Sequence, residues 1–232
     1  MSASQSSMTE LEVVVTGGAG GLGRSVVDEL VSAGARCHIP LYEGETADAI
    51  GHHGDRVATY SGIDLSDEAS CQQFFAAVPG LWASVHLAGG FAMSPLAETT
   101  LEDFEKMHRR NAVSCFLSVR EAQARMPGAG RIVNVAARPV VQPVGQMVAY
   151  SASKASVAAI TQSAAAELKE RGILVNAVLP SIIDTEANRQ AMPDADHASW
   201  PKPAEIADVI RFLVSPENRL VSGSLVPVYG RA

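Results

Sequence analysis

The sequence predicts a single α/β domain, a doubly wound parallel sheet of about seven strands with helices on both faces. Three observations predict it. Short, valine-rich apolar runs alternate with longer segments of helical periodicity. A glycine-rich turn joins the first run to the first helix. The chain has 232 residues, 47% of them apolar, with no internal repeat and no linker, which suits one domain with a sizeable core.

The elements follow in order. Residues 1–10 start without a basic segment or an apolar core, so they read as a disordered tail rather than a signal peptide. The domain then runs over residues 11–232. Residues 11–15 form a strand buried on both faces. Leu22, Val26 and Leu30 recur at helical spacing, and Gly34 closes that helix. Residues 35–41 and 56–62 are the second and third strands, and a helix is expected over 66–78. Residues 82–88 are the fourth strand. Thr100-Leu101-Glu102-Asp103 has the form of a capping box, and one helix is expected from it to Met126, stopped by Pro127 and Gly128. Residues 131–135 are the fifth strand. Residues 150–170 form an Ala- and Ser-rich helix closed by Gly172, and residues 173–179 the sixth strand. An irregular loop over 184–202 precedes a helix over 203–214 and a last strand over 224–228. Such alternation makes βαβ units, whose right-handed crossovers give a parallel sheet.

Composition excludes several classes. The net charge is −7 and the basic residues are scattered, which argues against nucleic acid and an anionic membrane surface. No apolar run approaches the ~20 residues of a membrane span. Cys37, Cys71 and Cys115 form no CxxC pair and read as buried, reduced thiols of a cytoplasmic protein. The six histidines include His52-His53 but show no ligand spacing, so no metal is expected.

The turn reads Thr16-Gly17-Gly18-Ala19-Gly20-Gly21-Leu22-Gly23. A pyrophosphate must approach backbone closely, which a Cβ hinders, and a helix N-terminus offers it N–H groups and a positive dipole. A glycine-rich stretch alone is also a plain turn. Between a strand and a helix it has the context of a Rossmann-type dinucleotide site. Further along, Tyr150 and Lys154 lie four apart on one helical face. A nearby ammonium favours a phenolate and lowers its pKa from about 10, so that the tyrosine can exchange a proton with an alcohol or carbonyl.

Taken together, the spacing TGxxxGxG with Gly17, Gly21 and Gly23, the Tyr150-Ser151-Ala152-Ser153-Lys154 motif, Asp64-Leu65, Ala88-Gly89 and Asn111 resemble the short-chain dehydrogenases/reductases along almost the whole chain. The resemblance implies an NAD(P)-dependent oxidoreductase interconverting a carbonyl and a hydroxyl, with Tyr150 as acid/base and Lys154 as its activator and ribose clamp. It implies that Asn111 anchors a water. It also implies a dinucleotide held by Gly17, Gly21, Leu22 and Gly23, by Asp64, Leu65, Ala88 and Gly89, by Tyr150 and Lys154, and by Pro180, Ile183 and Thr185. Members usually form dimers or tetramers, so a homo-oligomer is expected.

The chain departs from that pattern. The family places a serine thirteen residues before the tyrosine, and here stands Ala137. That serine stabilises charge on the substrate oxygen, and one such donor is worth about a hundred- to a thousand-fold in rate. Either Arg138 or Gln146 supplies a donor, or the substrate needs little help, or turnover is weak. A non-redox dehydratase or isomerase on the same scaffold is a further alternative. His86-Leu87 replace two asparagines, and His86 reads as a packed strand histidine. The second strand ends Leu41-Tyr42-Glu43 without a basic residue, and a carboxylate repels a 2′-phosphate, so NAD is favoured over NADP unless Arg24 reaches a phosphate. Phe91, Met93, Val141, Met147, Met192 and Trp200 are candidate walls for a small or medium, mostly apolar substrate.

Overall fold

A computed structural model describes residues 8–232. Its sheet has seven parallel strands in the order β3-β2-β1-β4-β5-β6-β7. They are β1 (Glu12–Thr16), β2 (Arg36–Pro40), β3 (Val57–Tyr60), β4 (Ala83–His86), β5 (Gly130–Val135), β6 (Ile173–Pro180) and β7 (Leu225–Val228). The helices are α1 (Gly21–Ser32), α2 (Glu68–Ala77), α3 (Leu101–His108), α4 (Ser114–Ala124), α5 (Val148–Leu168), α6 (Glu186–Ala191) and α7 (Pro203–Val214).

Strand alternation builds two cores. Val13 and Val15 pack with Val26 and Leu30 of α1 and Ile206 and Ile210 of α7. Val14, between them, packs on the other face with Phe74 and Phe75 of α2, Leu117 of α4 and Val157 of α5. A strand buried on both faces has no polar alternation, hence the continuous valine run. Each fully buried aliphatic side chain contributes about 1.5–3 kcal/mol relative to exposure. The strand order reverses between β1 and β4, and a crevice opens at the carboxyl ends there.

Three expectations are corrected. The tail expected over 1–10 is ordered from Met8, which is fully buried and donates its N–H to Ala33 O, while Glu10 pairs with Arg36 and Arg56. One methionine following a polar run leaves no periodicity to read. Residues 1–7 of that tail lie outside the described residues. The single helix expected from 100 to 126 is two, α3 and α4, joined by a π turn at Arg109–Val113. The capping box at Thr100 and Asp103 forms as expected. The loop over 184–202 contains the short α6, capped by Thr185.

Candidate active site

The glycine turn is built as the chemistry demands. Gly17 has φ +67°, and a Cβ there would meet the backbone nitrogen of Ala88 at 2.8 Å. A Cβ on Gly23 would strike the Gly17 carbonyl. The turn thus lies directly against the segment leaving β4. Helix α1 starts on Gly20 with no capping side chain and no carboxylate in its first turn. That is an arrangement an anion completes.

A cleft of about 800 Å³ opens from this turn and brings Gly17, Asp64, Leu65, Ala88 and Gly89 together. Its lining also includes Tyr42 and Glu45 from the loop after β2. Asp64 is fixed locally, accepting from the N–H and the hydroxyl of Ser66 at 2.8 Å each. Leu22 and Ile183 pack against the α1/α7 core. Gly21 faces Thr185, whose methyl would lie 3.0 Å from a Cβ placed there. Pro180 ends β6 on the same edge of the sheet. A glycine turn, an uncapped helix start and a cleft of this size fit a dinucleotide.

Tyr150 and Lys154, the expected acid–base pair, stand on α5. Lys154 is buried, and its Nζ donates to the carbonyl of Val135 at the end of β5, 2.8 Å away. Burial pulls its pKa down to about 8, against a smaller opposing effect of Cys115. Burial pushes the Tyr150 phenol up to about 12. A lysine that lowers the tyrosine's pKa was expected; the ammonium instead bonds Val135, and no neighbouring charge offsets the burial of Tyr150. The Phe91 ring stands edge-on to the Tyr150 ring, with centroids 5.0 Å apart.

Asn111 sits in the π turn, 1% exposed. Its Oδ1 accepts from Gly90 N (2.9 Å), and its Nδ2 donates to Gly90 O (3.0 Å) and to the hydroxyl of Ser153 (3.0 Å). A Cβ on Gly89 would strike Asn111 Oδ1 and lie 3.5 Å from Lys154 Nζ, so both atoms border one face of Gly89.

Around Ala137, itself 4% exposed at the end of β5, the two candidate donors differ. The Arg138 guanidinium donates to Gln142 (2.6 Å) and lies over the Tyr229 ring. Gln146, held at φ +63°, accepts Ser94 N–H on its backbone carbonyl, and its carboxamide is exposed. Two expected residues lie elsewhere. Trp200 is buried against His197 and borders a groove with Tyr229 and Arg231, not the cleft that holds Gly17 and Gly89. Glu45, not Glu43, borders the cleft, because the loop after β2 turns back and the Glu45 carboxylate accepts Tyr42 N–H. His86 is a packed strand histidine. Burial drops its pKa to about 4, and it bonds Ser84 and Asn134 at 2.8 Å each.

Sequence reading missed Ser153 and Glu45. The first has no spacing signal of its own, and the second depends on a loop conformation. Among the described residues no group of three metal-type ligands occurs, and no helix is long and apolar enough to cross a membrane.

The comparisons with known proteins agree with this geometry. A family model described as short chain dehydrogenase matches residues 12–196. L-2,3-butanediol dehydrogenase of Corynebacterium glutamicum is 27% identical over 248 residues, covering 94% of this chain and 96% of that protein. D-threitol dehydrogenase of Mycolicibacterium smegmatis is 30% identical over 235 residues, covering 94% and 90%. A blue fluorescent protein from a metagenomic library, solved in complex with NADPH, superposes with a TM-score of 0.86 at 27% identity, covering 96% and 98%. With a glycine turn that opens on a cleft fit for a dinucleotide, the chain belongs to the short-chain dehydrogenase/reductase family and is an NAD(P)-dependent enzyme of it.

Proposed function

We propose that this protein interconverts a carbonyl and a hydroxyl on a small or medium, mostly apolar substrate, with Tyr150 as the acid/base. The observation that carries the reading is that Lys154 Nζ and Asn111 Oδ1 border Gly89 of the dinucleotide cleft, with Tyr150 one turn earlier on α5 and its ring against Phe91. The nicotinamide supplies or accepts the hydride when bound. Tyr150 gives its phenolic proton to the carbonyl oxygen in reduction and takes one from the alcohol in oxidation. Lys154 holds positive charge next to the end of β5 and clamps the ribose. Asn111 anchors water at Gly89. Gly17, Gly21, Leu22 and Gly23 would hold the dinucleotide, with Asp64, Leu65, Ala88, Gly89, Pro180, Ile183 and Thr185 as its further walls.

Phe91 and Met93 after β4 and Val141 after β5 are exposed at the carboxyl ends of the strands, where a substrate enters. They support an apolar body on the substrate. Two relatives are named for diols or polyols, 2,3-butanediol and threitol, which supports an alcohol among the substrates. Glu45 at the cleft supports NAD, since its carboxylate repels a 2′-phosphate. Exposed alanines on α5, Ala155, Ala159 and Ala166, support a helix-paired homo-oligomer. Three free, buried cysteines support a reducing, cytoplasmic setting. Ala137 favours a second reading, a dinucleotide-binding protein with weak turnover.

Nicotinamide absorbance during incubation with a panel of ketones, aldehydes and alcohols, with both dinucleotides, tests the proposal. Turnover that is faster with NAD is expected. Dinucleotide binding without turnover of any panel member gives the second reading.

A further inference from the structure

Ser153 lies between the two residues of the acid–base pair, and its side chain is 0% exposed. Its hydroxyl donates to the carbonyl of Tyr150 (2.7 Å) and accepts Asn111 Nδ2 (3.0 Å). A helical serine ordinarily bonds a carbonyl one turn back. Ser156 does so with Ala152 O and stops there. Ser153 does so and spends its lone pair on a second element. The same device recurs two turns on, where Thr161 bonds Val157 O and accepts Asn134 Nδ2. The upper hydroxyl grips β5; the lower one grips the π turn.

The π turn needs such a grip. Its backbone ring is wider than that of an α-helix, so helical regularity does not fix the phase of the residue it carries. The Asn111 carboxamide is fixed by its partners instead. Gly90 holds it to the loop after β4, and Ser153 is its only oxygen partner on α5. Its remaining contact, to Met107 Sδ, lies at 3.5 Å.

We propose that Ser153 is a positioning residue: its hydroxyl locks the Asn111 carboxamide to the Tyr150 turn of α5, so that Asn111 Oδ1 and Lys154 Nζ are both held at the border of Gly89. This rests on the reading that Tyr150, Lys154 and Asn111 perform the acid–base chemistry. Removing the hydroxyl leaves the fold and the cleft intact and frees one end of a buried carboxamide.

The test compares Ser153→Ala with Ser153→Thr, which restores a hydroxyl as Thr161 already presents one on this helix. In Ser153→Ala, kcat falls about tenfold, the rate equivalent of one buried hydrogen bond. The KM for substrate, and the Kd for NADH followed by its fluorescence, stay within about twofold. Ser153→Thr recovers most of the rate. Hydrogen exchange of the Asn111 side-chain amide, followed by NMR, is slow in the wild type and in Ser153→Thr and fast in Ser153→Ala. Unchanged exchange or an unchanged kcat in Ser153→Ala overturns the proposal. So does an equal loss in both variants accompanied by a lowered Tm, which is a packing effect. If the wild type binds NADH but turns over nothing, the catalytic reading fails, and the exchange measurement decides the role of Ser153 by itself.

Discussion

Lys154 Nζ donates to the carbonyl oxygen of Val135 at 2.8 Å, joining the helix that carries Tyr150 to the end of β5. A carbonyl partner satisfies a donor but brings no compensating charge, which is why burial still lowers this lysine to about 8. The ammonium therefore persists below about pH 8 and is lost above it. We expect kcat/KM for carbonyl reduction, which reports the free enzyme, to fall as pH rises through about 8. A profile flat to about pH 10, the ordinary lysine range, contradicts this.

Removing only the phenolic oxygen tests the proposed proton transfer by Tyr150. Tyr150→Phe keeps the ring against Phe91. Its turnover should fall by about 10²–10⁴-fold, the usual worth of a positioned acid or base. NADH binding, read by fluorescence, should be unchanged, and equal turnover in the variant refutes the assignment.

Placing a hydroxyl at position 137 asks whether a donor is lacking there. If the gap limits the rate, Ala137→Ser raises kcat by up to about a hundred-fold on simple ketones. If Gln146 already supplies the donor, Ala137→Ser changes little and Gln146→Ala slows the wild type. Rates of the two single variants on one ketone separate these outcomes.

The buried His86 makes stability acid-sensitive. Its folded pKa, about 4, lies below the usual value near 6.5, so the unfolded chain binds more protons between those limits. Stability from this group is complete above about pH 6.5 and is lost progressively as pH falls towards about 4. Between about pH 7 and pH 5 the loss is about 2 kcal/mol. Urea unfolding at both pH values should show that extra loss in the wild type and not in His86→Asn. Equal pH dependence in the two proteins contradicts it.

The glycine turn offers a paired comparison. Gly17→Ala forces a Cβ into a left-handed conformation and against Ala88, a strain of about 1–3 kcal/mol. NADH affinity should fall with Tm. Gly128→Ala meets open space at ordinary φ and should change Tm by no more than a degree or two. A tolerant Gly17 argues against the packed turn.

The fold was legible because its signals are local. Valine runs such as Val13–Val15 and the Thr100–Asp103 cap are decided within a few residues. The glycine turn and the placing of Tyr150 and Lys154 on one helix were legible for the same reason. What escaped depends on partners distant in sequence. The π turn at Arg109–Val113 has the apolar pattern of an ordinary helix, and only the contacts of Asn111 with Gly90 and Ser153 distinguish it. Lys154 was read against its sequence neighbour Tyr150 and bonds a carbonyl nineteen positions away instead. Glu45 displaced Glu43 because a loop closed on itself through Tyr42 N–H. Met8 joined the core because Ala33 offered its backbone a partner.

The central place of β1 also governs how the chain meets its own synthesis. Its Val13–Val15 segment pairs with β2 on one side, but its other neighbour is β4, whose residues 83–86 emerge about seventy residues later. At about 5–20 residues per second the nascent protein carries an open, all-valine strand edge for several seconds. The β2 and β3 strands and α1 can assemble in that interval, yet none of them covers that edge. Slowing translation between residues 40 and 83 should therefore favour aggregation, and chaperone binding to nascent chains should peak there.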